Sequence, residues 1–279
     1  IFFHTPAKEL SLVKAKYPLF FPENTSDEEW AEKQADSLQK ELFTEITKTF
    51  GDFSQQKKAI KNIYQHVKYY FPHFTPAKIV TLTSDVDYPS RVIYADSLLL
   101  IGTDNYLGTK HPFYQDMEQY IAAELDKKYL AVDVADAFAD KLVPRAMHLT
   151  FLDNMIYEGK KLYLEQLLLP KKSAADLLRY TDQQYAWAEA NEAEIWRYFI
   201  EKELLYQTDK KLLTRFLYPA PFSKFYLELD NESPGQIAKF IGLRIVQAYA
   251  ENHKEEPLVK ILAMNPDTLF KQSQYKPNK

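Results

Sequence analysis

The chain has 279 residues, 46% hydrophobic and 27% charged, with a net charge of −4. That length buries a sizeable core, and a near-balanced charge without a basic block excludes nucleic acid as a partner. Having no cysteine excludes disulfides, thiolate catalysis and Cys-based metal sites, while 6 glycines against 20 Tyr and 18 Phe disfavour phosphate loops and all-β folds.

Helices should therefore dominate. Residues 1–20 read as a lead-in segment, and Ile1 in place of methionine fits a trimmed chain with any targeting segment upstream. SDEEWAEKQADSLQKELFTEITKTF then reads as one helix, with Ser26 as cap, acids in the first turn and Gly51 as its end. SQQKKAIKNIYQHVKYYF follows as a second helix, capped by Ser54 and stopped by Pro72.

The pattern then changes. KIVTLTS (78–84), RVIYAD (91–96) and SLLLIGT (97–103) are rich in β-branched and aliphatic residues and bounded by turn residues, so three strands are expected within 78–103. No apolar run reaches a membrane span, since Asp96 interrupts the longest, VIYADSLLLIG. From 113 to 279 helical periodicity returns, with helices expected at 113–125, 130–143, 149–167, 173–177, 181–189, 191–203, 208–216, 234–252 and 257–263. No repeat or long linker divides the chain. The expectation is a single α+β domain over 1–279, mainly helical, with a small β-sheet in its first half.

SPGQIAKFIGLRIVQAY (233–249) carries strong start signals: Ser233 as N-cap, Pro234 at the first helical position and Gln236 completing a capping box. Ala238 and Gly242 are small and one turn apart, which admits a close helix. Gly235 stands in the same segment, whose N-terminal end could instead face a site.

The stretch that bears on chemistry is DVADAFADKLV followed by NMIYEGKKLY. Zinc peptidases of the HExxH type place two histidines one helical turn apart, a glutamate between them, and a further acid on a later helix. Asp136 and Asp140 have the spacing of the two histidines, Ala137 stands where the base would be, and Glu158 is the later acid. Three carboxylates suit Ca²⁺ or Mg²⁺ better than Zn²⁺. Asp133, Asp136 and Asp140 also form a plain acidic stripe, and a solvated helix face comes ahead of a cation site, with zinc last. Asn154, Glu158, Lys161 and Glu165 likewise share one polar side of their helix. Gly159, costly within a helix, asks for a close neighbour, and Tyr163 follows it on the same helix. His4, His66, His73, His111, His148 and His253 show no pair at ligand spacing, and no GxSxG, GxGxxG or P-loop occurs.

KYPLFFP (16–22), KYYFPHF (68–74), TLTSDVDYPSRVIYADSLLLIGTDNYLG (81–108), FLDNMIYEGKKLYLEQLLLP (151–170) and FSKFYLELDNESPGQIAKFIGLRIVQAY (222–249) together resemble the GldB family of gliding-motility lipoproteins from Bacteroidetes. That family is similar in turn to zinc-dependent proteases with a zincin-like fold. The resemblance places the zinc histidines at Asp136 and Asp140, the catalytic glutamate at Ala137 and the third ligand at Glu158, where only Glu158 matches. It implies a lipoprotein whose lipidated cysteine lies upstream of Ile1. It also implies a cell-envelope location and partners in the gliding and type 9 secretion machinery.

Three readings follow. The first is a non-catalytic pseudopeptidase whose cleft holds a protein segment, with no cofactor. The second is a divergent metal-dependent hydrolase using Asp136, Asp140 and Glu158 on a cation such as Ca²⁺ or Mg²⁺. The third is a structural envelope protein in which those acids meet Arg145 or lysines and no groove remains.

Overall fold

Strand-forming residues are concentrated between 78 and 102, and there the sheet forms. In the computed structural model, which describes residues 2–22, 24–145, 150–228 and 230–277, it comprises β1 (Lys78–Leu82), β2 (Val92–Ala95) and β3 (Leu98–Gly102). β3 is central, parallel to β1 and antiparallel to β2. Asp96, in the left-handed conformation at φ 48°, makes the tight return from β2 to β3. The chain is α+β and mainly helical, as its composition requires.

Among the described residues four α-helices precede the sheet: α1 (Leu10–Lys16), α2 (Asp27–Ala35), α3 (Ser37–Phe50) and α4 (Ser54–Tyr70). Ten follow: α5 (Gln119–Ala122), α6 (Leu130–Leu142), α7 (Phe151–Leu168), α8 (Ala174–Leu178), α9 (Asp182–Ala190), α10 (Glu192–Glu201), α11 (Lys211–Phe216), α12 (Ile237–Asn252), α13 (Leu258–Ala263) and α14 (Pro266–Ser273). Among the described residues no helix is long and apolar enough to cross a membrane.

Two cores meet at α7. One lies under the sheet, where Ile60, Ile63 and Val67 of α4 pack with Leu99, Ile101, Phe138 and, from α7, Leu164 and Leu168. The other surrounds α12, where Phe240, Ile241 and Ile245 pack with Phe151, Leu152, Met155 and Ile156 of α7. With apolar partners on two sides, α7 has little surface left for water. Its Lys160, Lys161 and Glu165 are buried as a result, although the sequence reading places Lys161 and Glu165 on a polar side. Lys160 is held by main-chain carbonyls at the end of α13, donating to Leu262 O at 2.9 Å and to Met264 O.

The α7–α12 crossing is a contact of glycines. A Cβ on Gly159 would stand 2.2 Å from the Gly242 carbonyl carbon, and one on Gly242 would stand 2.0 Å from Met155 O. Helix axes come this close only where side chains are absent.

Several boundaries differ from the sequence reading. The helix expected over 26–50 is two, because Asp36 (ψ 132°) breaks it and its side chain caps α3 by accepting from Gln39 N. Ser26 does cap α2, in a capping box with Glu29. Ser54 begins α4 and does not cap it; Phe53, left-handed at φ 61°, turns the chain in. The segment expected to be helical over 113–125 holds only a 3-10 turn and the four residues of α5. A helix, α1, stands within the lead-in segment, and α14 was concealed behind Asn265–Pro266, whose asparagine caps it.

The largest departure concerns Ser233. It is buried and does not cap α12; Gln236, left-handed at φ 57°, precedes the helix without a capping bond of its own side chain. The Ile237 N–H instead donates to Ser223 Oγ at 3.1 Å, while Ser233 Oγ accepts from Ser223 N and is tied to Asp230 O. Close approach explains the switch. Gly235 lies so near Ala220 that a Cβ would be 2.1 Å from the Ala220 carbonyl oxygen, which brings an upstream serine to the helix start.

Gly242→Ala should therefore lose stability despite the better helix propensity of alanine: the gain of about 1 kcal/mol is outweighed by roughly 3 kcal/mol of backbone displacement. Denaturant unfolding of the variant against the parent measures it; an unchanged midpoint would show that the helices are not held at this distance.

Candidate functional site

A cleft of about 390 Å³ opens beside β2, lined by Tyr88–Pro89 and Arg91–Val92 on the sheet side, by α6, by Arg179, and by Pro219, Gln236 and Lys239 near the start of α12. Charged side chains from five separate segments converge on its floor. The helix that organises them is α6, through Asp133, Asp136 and Asp140.

Asp133 is buried, and two guanidinium groups serve it. Arg91, just ahead of β2, donates from Nε to Oδ2 at 2.7 Å and from Nη2 to Oδ1 at 2.9 Å. Arg179, which closes α8 in the left-handed conformation at φ 58°, donates from Nη2 to Oδ1. Tyr106, in the turn after β3, donates its hydroxyl to Oδ2 at 2.7 Å. Glu124 balances the second guanidinium, 3.0 Å from Arg91 and 3.2 Å from Arg179. Burial alone would raise the Asp133 carboxyl pKa, but the charges of Arg179 and Arg91 outweigh it and hold the group below its usual range. Burial likewise pushes the Tyr106 phenol well up, so it stays a donor.

One turn along α6, a second cluster forms around an ammonium. Lys161 Nζ lies 2.9 Å from Asp136 Oδ1, 2.7 Å from Asp140 Oδ1 and 3.9 Å from Glu158 Oε2. Lys239 of α12 reaches Glu158 at 3.4 Å, and the Tyr157 hydroxyl donates to Asp140 Oδ1 at 3.3 Å. The Lys161 side chain is only 8% exposed, against 34% for Asp136 and 49% for Asp140. Burial would strip the proton from Lys161; the facing carboxylates of Asp136, Glu158 and Asp140 reverse this and raise its pKa. Burial would likewise raise Asp136, and the charges of Lys161 and Arg179 lower it instead.

Glu165 completes the arrangement. It is buried on α7, one turn beyond Lys161, with Oε2 lacking any hydrogen-bond partner. Burial first, then the negative charge of Asp136, push its pKa well above the usual carboxylate value. Both effects disfavour a second ionised carboxylate beside Asp136.

The residues singled out by spacing thus meet in space, but not as a solvated stripe: Asp133 and Asp136 are committed to cations from α7, α8 and the approach to β2. The centre of the three acids Asp136, Asp140 and Glu158 holds an ammonium. A divalent cation there would have to displace Lys161, so the donor set does not fit zinc. Among the described residues no group of three or more His, Asp or Glu is arranged to hold a metal. Ala137 lines the cleft and brings no proton acceptor. The acids do meet lysines, as the collapsed-cleft reading expects, yet the cleft is retained, against that reading.

Gly159 and Gly242 serve the helix crossing, Gly235 and Ser233 the entry to α12, and Tyr163 packs half-buried against the α12 core. His148 lies outside the described residues. His66 bonds Leu168 O, His111 faces Glu45, and His253 stacks on Tyr249. Sequence reasoning missed Arg91, Arg179, Lys239 and the central role of Lys161; the only local trace was a basic residue three positions after Glu158.

The family model described as gliding motility protein GldB matches residues 1–277, and the chain belongs to that family. No curated protein and no solved structure matches it.

Lys161→Met should destabilise the fold by roughly 2–3 kcal/mol, less than a fully buried pair because Asp136 and Asp140 are partly wet. Millimolar Ca²⁺ should recover part of that loss in the variant and leave the parent unmoved; calorimetry with and without the ion reads both. Glu165→Gln replaces the buried carboxyl by a neutral amide of nearly the same shape that does not titrate. Because folding raises the Glu165 pKa, its contribution is complete below about pH 4.5 and declines as pH rises toward the folded value. The variant should therefore melt above the parent at pH 8, by an amount of the order of 5 °C, and the gap should close toward pH 4.5.

Proposed function

We propose that this member of the GldB family is a non-catalytic, lipid-anchored protein of the cell envelope that holds a segment of a protein partner in the cleft beside β2. Family membership ties the chain to gliding motility; the anchor, the type 9 secretion connection and the partner are parts of the proposal. The observation that carries it is Lys161 Nζ at the point where Asp136, Asp140 and Glu158 converge.

Hydrolysis of an amide on a metal needs an open coordination position and a group that takes a proton from water. Here an internal cation neutralises the acids, Ala137 offers no base, and burial disfavours the charged form of Glu165. The order of sheet, acidic α6 and Glu-Gly-bearing α7 supports a zincin-like frame kept without its chemistry. What the cleft retains suits recognition: charged groups fixed in place by their neighbours, a rim formed by Tyr88 and Pro219, and β2 as an edge strand beside it. Fixed side chains lose little entropy when a partner binds.

Purified protein should carry sub-stoichiometric zinc, calcium and magnesium after dialysis, and should leave broad peptide pools uncleaved. In gliding cells, a photocrosslinker placed at Gln236 or Tyr88 should capture one envelope protein. Stoichiometric metal together with cleavage that Glu158→Gln abolishes would transfer the site to the divergent hydrolase. Crosslinks confined to surfaces away from the cleft would remove the partner from it.

A further inference from the structure

Among the described residues the sheet has a second free edge. β1 pairs with β3 on one side only, and a groove of about 1280 Å³ runs along its other side, beneath the N-terminal helices. Lys78, Ile79, Val80, Thr81, Leu82 and Thr83 all line it. Alternate residues of a strand face opposite sides of its sheet, so a consecutive run reaches one groove only where the groove follows the strand's edge.

The main chain there is open. The parallel register of β1 with β3, with Lys78 N donating to Ser97 O at 2.8 Å, directs the amides of Lys78, Val80 and Leu82 into the sheet. Those of Ile79 and Thr81 point into the groove. The facing wall is aromatic: the Phe21 and Trp30 rings lie 4.8 Å apart, Phe2 and Trp30 5.5 Å, and Phe43 stacks on Phe3 at 4.8 Å. The two ends of the groove carry opposite charge. Lys78 begins β1 and lies over the Tyr17 ring, whereas Asp85 stands beyond the other end, joined through Gln39 to Asp36. Among the described residues none of Lys78, Asp85 or Asp36 is in an ion pair.

We propose that this groove takes an extended segment of a protein partner as a fourth strand on β1, with an acidic residue against Lys78 and a basic residue against Asp85 and Asp36. A segment of about seven residues covers the five of β1, at roughly 3.3 Å each, with one flanking residue at each end toward the charges. Its main chain satisfies the outward groups of Ile79 and Thr81, its alternate side chains enter the aromatic wall, and its end charges match the two poles. An acyl chain meets none of the polar requirements. The surface lies on the opposite sheet edge from the polar cleft, so its test reads nothing at Asp136 or Lys161.

The probes are two blocked heptapeptides, Glu-Val-Thr-Phe-Thr-Val-Lys and the same sequence reversed, which cover both strand directions. One should bind the whole protein at micromolar concentration and protect the Ile79 and Thr81 amides from hydrogen exchange. Thr81→Pro removes an outward N–H and leaves the β3 ladder untouched; it should weaken binding about tenfold. Lys78→Glu should weaken it about threefold, and a peptide with lysine in place of its glutamate should recover the loss, which keeps the test open if the proline variant fails to fold. No binding of either peptide at millimolar concentration, or binding indifferent to both variants, overturns the proposal. So does self-association of the parent that Thr81→Pro abolishes, which assigns the groove to a second copy. Uptake of phospholipid by the groove in competition with the peptide also overturns it.

Discussion

One ammonium group closes α6 onto α7. Lys161 is forced inside because α7 is packed on two sides, and a buried cation persists only where carboxylates and hydrogen bonds replace its hydration. Asp136 and Asp140 supply those from α6, and Glu158 from α7 itself. The neighbouring Glu165 is buried beside Asp136, and burial together with that negative charge pushes its pKa well up, against the pull of Arg179 and Lys161. The charge balance on the floor of the cleft thus follows from the burial of α7.

Asp133 fixes the remainder of the cleft by the same logic applied to the opposite sign. Its partners Arg91, Tyr106 and Arg179 come from the approach to β2, the turn after β3 and the end of α8, and Glu124 joins them from the end of α5. Loops from both sides of the sheet are thereby gathered around one carboxylate. The left-handed Arg179 belongs to the same arrangement: it is the C-cap of α8, fixed by main-chain bonds from Arg179 N to Asp176 O and from Tyr180 N to Ala175 O, and its side chain reaches Asp133 from that turn.

Much of the architecture is legible from residues 78–102 and from the helical periodicity around them, because β-branched runs and apolar spacing act locally. Asp136, Asp140 and Glu158 could be picked out for the same reason: their spacing is a property of two helices. Their environment could not. Whether an aspartate on a helix faces water depends on what stands opposite, and Arg91 and Arg179 lie more than thirty residues from Asp133 on either side. The cap of α12 failed in the same way. Ser233 has the right local signal, but Ser223 reaches the helix start because Gly235 lets the chain at Ala220 approach. In each case a pattern read along the chain was overruled by a contact across it.

The glycine crossing of α7 and α12 bears on how the molecule carries load. Most helix pairs meet through side chains that can change rotamer and absorb a displacement, like a cushion between two rods. Where Gly159 meets Gly242, backbone rests on backbone and nothing can yield. A push on Lys239 at the mouth of the cleft is therefore delivered to α7 without slack, and from there to both cores. The helix pair is therefore a stiff unit, in which a displacement of one helix is passed on through bond geometry and not taken up by side-chain rearrangement.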